Sequence, residues 1–172
     1  MKRTHHCNQL RLGNAGNIAT LSGWVHSCRD LGGVIFLDIR DREGRTQAVF
    51  DPQETDPALV QQAAKLHSES VITVRGNVRK RPLDTANSKI PTGDVEIVVG
   101  EMEVHNHAEV LPFQIDDPET AAKVNEERRL QFRYLDLRRP DMARNLQLRS
   151  KAAICTRVFM EEQGFLEVET PT

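Results

Sequence analysis

Between residues 18 and 104 apolar and polar side chains alternate with the two-residue period of half-buried strands. Residues 18–25 place Ala19, Leu21 and Val25 on one side. In residues 34–40, Ile35, Leu37 and Ile39 alternate with Val34, Phe36, Asp38 and Arg40. A turn around Glu43 and Gly44 follows, and then Thr46, Ala48 and Phe50 alternate with Arg45, Gln47 and Val49. The period changes in residues 57–67, where Leu59, Val60, Ala63, Ala64 and Leu66 have helical spacing and Pro57 suits a first turn. Residues 71–79 return to alternation, with Ile72, Val74 and Val78 inward and Thr73, Arg75, Asn77 and Arg79 outward. After a loop at 81–93, broken by prolines and a glycine, residues 95–104 form a last strand.

Three strands, a helix and two strands predict a five-stranded OB-fold barrel with its helix between the third and fourth strands. Beyond it the character changes. Residues 108–127 carry Pro112 and Pro118 and read as a linker or hinge. Residues 123–151 collect nine Lys or Arg against four acidic residues. Within this basic stretch, residues 133–140 (RYLDLRRP) have two readings. Their arginines rest on a phosphate backbone, or Asp136 gathers them into an internal clasp. Pro140 opens a long helix running to about Gln163, and Gly164 stops it in the left-handed position. Met142, Leu146, Ile154 and Val158 form one apolar stripe; Leu148, Ala152, Cys155 and Phe159 form another. Two stripes require cover on more than one side, from a further domain or a second subunit. Residues 165–170 (FLEVET) alternate as a strand that needs a sheet to join, so a truncated chain is expected.

The outward side of the hairpin carries the candidate chemistry. Phe36 shares its face with Asp38 and Arg40, and the alternation puts Gln47 on a solvent face as well. A ring that stacks, an amide that reads a base edge and cations that hold phosphate suit unpaired RNA bases. The competing reading is a solvent-facing Phe on an ordinary hairpin. Arg75 and Arg79 extend the cationic side of this surface if the barrel closes in the usual way.

Composition narrows the choice. The chain has 172 residues, 38% hydrophobic and 28% charged, with net charge -2. No global attraction to nucleic acid follows from that charge, so a nucleic-acid site must be a local patch. No run approaches the ~20 apolar residues of a membrane span, and MKRTHHCNQL lacks an apolar signal core. Cys7, Cys28 and Cys155 are odd in number and widely separated, which predicts reduced thiols in a cytoplasmic protein. The six histidines lack partners at ligand spacing, so no metal site is expected.

Several long segments together resemble the class II aminoacyl-tRNA synthetases, specifically the bacterial aspartyl type. They are GWV (23–25), RDLGGVIFLDIRDREG (29–44), FDP (50–52), PTGDVEI (91–97), RYLDLRRP (133–140) and GFLEVETP (164–171). The resemblance implies an anticodon-binding OB domain at 1–107, a hinge at 108–139 and the start of the catalytic domain at 140–172. By position, Phe36 matches a residue that stacks on an anticodon base, and Gln47 and Arg29 match anticodon contacts. Arg79 matches a basic position on the fourth strand. Leu31 stands where the choice of leucine or histidine is associated with telling aspartate from asparagine tRNA. Family members usually read R-R-R-D where this chain has Ser27-Cys28-Arg29-Asp30, so two cations are gone and weaker, less salt-sensitive anticodon binding is expected.

The long helix and GFLEVETP resemble class II motif 1, which forms a homodimer interface; Phe159, Gly164, Phe165 and Pro171 are its candidates here. The family reaction joins aspartate to ATP as an adenylate and then to its tRNA, with Mg2+. The motifs for that chemistry lie beyond residue 172 in the family pattern. No catalytic residue, bound cofactor or metal is therefore expected in this chain, and its implied partners are aspartate tRNA and a second copy, with neither DNA nor membrane. Two other classes remain: a freestanding OB-type RNA-binding module, and the N-terminal part of an asparaginyl- or lysyl-tRNA synthetase.

Overall fold

A computed structural model describes residues 1–82, 85–115 and 123–170. The expected strands and helix are all present. They are β1 (Ile18–Leu31), β2 (Val34–Arg40), β3 (Arg45–Phe50), α1 (Pro57–Ala64), β4 (Val71–Lys80) and β5 (Val95–Asn106). The five strands close into a barrel in the order β1-β2-β3-β5-β4. All pairings are antiparallel except β3 with β5, where Ala48 aligns with Ile97 and Val49 with Val98. β1 belongs to both halves: residues 18–24 pair with β4 and residues 24–31 with β2, with a register shift between Val25 and Ser27. That bulge places His26 outside the β1–β2 register and bends the strand.

The inward sets predicted from the alternation fill the barrel. Ala19, Leu21, Val25, Ile35, Leu37, Ile39, Ala48, Phe50, Ile72, Val74 and Val78 belong to one buried cluster. α1 begins where Asp56 accepts a hydrogen bond from the Ala58 amide (2.7 Å). It ends at Ala64 rather than continuing to His67, because Lys65 caps it and the Leu66 amide turns back to Ala63. Leu66 is nonetheless buried. Gly76 is required where β4 and β5 approach: a Cβ there would meet the Val98 carbonyl oxygen at 1.9 Å.

The N-terminal segment closes one end of the barrel, a role its sequence did not disclose. Cys7 and Leu10 are fully buried in the same core cluster. Asp41, at the end of β2, holds the plug by accepting from the Cys7 amide (2.9 Å) and sitting 3.0 Å from His6 Nδ1. It also accepts from the Glu43 and Gly44 amides of the hairpin turn. Burial alone would raise its pKa, but those amides and His6 together hold the carboxyl below its ordinary value. Burial and the nearby Asp41 charge push the Cys7 thiol far up, so it stays protonated.

Residues 1–109 form one compact unit and 110–172 a second. The second contains α2 (Glu126–Gln131), α3 (Arg133–Asp136) and α4 (Pro140–Glu162). Phe113, Ile115 and Leu135 form its own small core with Leu111, Val124 and Phe132. α4 follows its expected limits closely: Gly164 takes φ +83, and the Phe165 amide returns to the Met160 carbonyl (3.0 Å). Residues 165–170 pair with no strand among the described residues. No helix of the described residues is long and apolar enough to cross a membrane.

Because Asp41's folded pKa lies below its unfolded one, it stabilises the fold above about pH 4. That contribution is lost as pH falls through the folded value. Asp41→Asn should therefore lower stability at pH 7 and flatten the loss between pH 5 and 2, read from urea midpoints across that range.

Candidate nucleic-acid interface

The outward residues of β1, β2, β3, β5 and β4 make one polar row around part of the barrel. Cross-strand register places Arg29 opposite Phe36, Phe36 opposite Val49, Asp38 opposite Gln47 and Arg79 opposite Glu96. Parallel pairing of β3 with β5 brings Gln47 and Glu96 together, 49 positions apart in the chain, with Gln47 Nε2 donating to Glu96 Oε2 (3.3 Å).

Gln47 does not sit on a solvent face, as its alternation suggested: it is only 3% exposed. β3 lies between β2 and β5, and its outer face is covered by Glu96 of β5 together with Arg29 of β1 and Arg81 just after β4. Its Oε1 accepts from Arg81 Nη2 and, more loosely, from Arg29 Nη2 (3.4 Å). Both ends of the amide are thus engaged, which orients it. Thr73 departs in the same way: it points outward yet is covered, with Oγ1 within hydrogen-bond distance of Ser22 and His105.

Glu96 is the hub that the sequence reading missed. It is buried, accepts from Arg79 Nη2 (2.8 Å) and Nε (3.1 Å), and lies 3.6 Å from Arg81 Nε. Arg79 also donates to Glu54 (2.8 Å). Burial would lower the Arg79 pKa, but Glu96 and Glu54 outweigh it and raise it. Arg79 is therefore a neutralised cation at this face. Arg75 is too, donating to Glu101 (3.0 Å). The only signal for Glu96 and Arg81 in the sequence was their place at the β5 start and the β4 end; burial of charged residues shows only in three dimensions.

The other predicted residues lie at the open edge of the network. Phe36 is partly exposed on the face shared with Arg29 and Asp38. Arg29 reaches Asp38 and Gln47 only at 3.4 Å, and half of its side chain is in solvent. Such long contacts are easily exchanged for a phosphate or a base edge. Leu31 is 63% exposed beside the Gly32–Gly33 turn, where both glycines have positive φ. Of the two positions expected to have lost a cation, only Ser27 lies on this face, donating to Asp38 (3.0 Å). Cys28 points the other way and packs on the core near the Ala63 carbonyl.

In the second unit, the RYLDLRRP segment forms the internal clasp. Asp136 is fully buried, accepts from Arg133 Nη1 and from Arg139 Nη1 (3.1 Å), and lies 3.9 Å from Arg129. Along α4, Leu146, Leu148, Ile154, Val158 and Phe159 are all exposed, as is Phe165 beyond it. Pro171 lies outside the described residues.

A five-stranded closed barrel in this order, with its helix between the third and fourth strands, defines an OB-fold domain. Residues 19–105 match the family described as OB-fold nucleic acid binding domain, and the chain belongs to that family. Residues 125–172 match the tRNA synthetases class II (D, K and N). The Aspartate--tRNA(Asp/Asn) ligase of Opitutus terrae is 48% identical over 99% of this chain. That of Thermosynechococcus vestitus is 52% identical over 98%. The chain spans 28% of the length of each. Among solved structures, an aspartyl tRNA synthetase from Entamoeba histolytica superposes with a TM-score of 0.86 at 26% identity, covering 99% of this chain and 39% of that one. Asparaginyl-tRNA synthetase from Pyrococcus horikoshii, complexed with asparaginyl-adenylate, gives 0.82 at 27%, covering 99% and 37%.

Glu96→Gln removes the buried charge that Arg79 and Arg81 share, and should destabilise the barrel by about 1–3 kcal/mol. Glu101→Gln breaks only the exposed pair with Arg75 and should cost under about 0.5 kcal/mol. Urea unfolding of the two variants tests the contrast.

Proposed function

We propose that the barrel reads the anticodon of aspartate tRNA, as the N-terminal part of an aspartate-tRNA ligase. The observation that carries this reading is the linked group Glu96–Gln47–Arg81 set beside the partly exposed ring of Phe36. An unpaired base stacks on Phe36, and its edge meets amide, carboxylate and guanidinium groups already held in place. Preorganisation lowers the ordering cost of binding. Arg29, with its long contacts, turns from Asp38 and Gln47 toward the RNA. Arg79 positions Glu96, and Leu31 lies at the hairpin tip where a neighbouring base is sampled. The similarity of nearly the whole chain to ligases named for both aspartate and asparagine tRNA supports the class of RNA.

In this reading the domains run 1–107, 108–139 and 140–172. Amino-acid activation with ATP and Mg2+ belongs to the longer protein in the cytoplasm, with tRNA rather than DNA as its nucleic-acid partner. Among the described residues no group of three or more His, Cys, Asp or Glu is gathered to hold a metal. An anticodon stem-loop carrying the aspartate anticodon should bind more tightly than one altered at the central base. Phe36→Ala should weaken the cognate complex by about 1–3 kcal/mol. Equal affinity for the two loops, measured by fluorescence anisotropy, rules out anticodon reading.

We also propose that α4 is a homodimer surface. Phe159 and Phe165 are 59% and 62% exposed, and Gly164 turns the chain between them. Sedimentation equilibrium should show a dimer that Phe159→Glu dissociates; an unchanged assembly state in that variant rejects the surface.

A further inference from the structure

Five arginines on the outer face of the barrel each lie against a carboxylate. Arg29 faces Asp38, Arg40 donates to Glu69 (2.6 Å), and Arg75 pairs with Glu101. Arg79 and Arg81 share Glu96. Arg45, at the start of β3, differs from all of these. Among the described residues it has no carboxylate within ion-pair distance. Its side chain donates instead to the ring of His26, with Nη1 2.7 Å from Nε2.

A guanidinium has five N–H donors in a fixed fork, and a ring nitrogen that accepts from it carries no proton there. The charge of Arg45 is therefore not cancelled by its partner, and most of its donors remain for an anion.

Its position supplies the second observation. Arg45 precedes Gln47 by two residues, so the two share one face of β3 about 6.8 Å apart along the strand. Directly opposite, Arg40 is already held by Glu69. A nucleic-acid strand laid over Phe36 and Gln47 that continues along β3 next meets Arg45. We infer that Arg45 is a phosphate-binding residue for the RNA backbone, one step beyond the base-reading group and contributing affinity without sequence preference. Planar, doubly hydrogen-bonded phosphate capture is what an arginine with free donors does best. This inference rests on the RNA-reading function proposed above.

The test measures binding of both stem-loops, cognate and central-base-altered, across a range of KCl concentrations. Arg45→Gln should lower the slope of log affinity against log salt by about 0.7, the value of one neutralised phosphate on single-stranded RNA. It should weaken both loops about three- to tenfold, leaving their ratio unchanged. Arg42→Gln, at an exposed arginine paired with Glu43 in the hairpin turn, should keep the native slope. Arg45→Lys, which retains the charge, should keep it as well. Arg45→Met, a second neutral variant, should show the same slope loss as Arg45→Gln. It decides the matter if circular dichroism shows Arg45→Gln to be unfolded, and a native slope in it overturns the site.

A native slope and affinity in Arg45→Gln, with native protein still discriminating the loops, overturns the phosphate site and leaves anticodon reading intact. The same slope loss in Arg42→Gln or in Arg45→Lys also overturns it. Native protein that binds neither loop defeats the anticodon reading, and the phosphate site with it.

Discussion

β1 is the constraint on which the rest depends. One fourteen-residue strand must pair with β4 along its first half and with β2 along its second, and Trp24 is aligned with both Val71 and Arg40. The bulge between Val25 and Ser27 lets it turn from one partner to the other. Once β1 joins the two halves, the remaining free edges, on β3 and β5, close on each other. The closing contact is short, yet it brings Gln47 to Glu96 and completes the interior around Phe50 and Ile97. Barrel closure thus removes exposed strand edges and assembles the polar face in one event.

That face is polar and yet substantially buried, a combination that costs free energy unless every group is paired. Here one carboxylate serves two arginines and an amide. Glu96 accepts from Gln47 on β3 and from Arg79 on β4, and lies 3.6 Å from Arg81 just after β4. A network of this kind is rigid, which suits recognition of a base edge. Arg29, with contacts of 3.4 Å, and Arg45, which donates to the His26 ring, lie outside that network's centre.

The second unit shows the opposite balance. α4 is defined locally, by Pro140 at its first position and Gly164 after its end, and its apolar side chains are covered by nothing among the described residues. Helix boundaries depend on caps and backbone dihedrals, so they form where the sequence places them. The Asp136 clasp likewise joins residues three apart, within reach of one helical turn.

Sequence alone determined the parts governed by short-range rules. The two-residue alternation identified Ile35, Leu37 and Ile39 as interior, Pro57 marked a helix start, and Gly164 a helix end. The outward direction of the Phe36 ring, partly exposed in the structure, followed from the same parity. Tertiary structure decided what parity cannot carry: whether an outward side chain meets water or another strand. Gln47 and Thr73 both point out of the barrel and are both covered, because side chains from other parts of the barrel close over them. Glu96 and Arg81 became members of the site only when β5 docked beside β3, and Cys28 left it because a strand residue next to Arg29 must face the other way. Alternation encodes direction along one strand; burial and charge pairing depend on the strands that closure brings alongside.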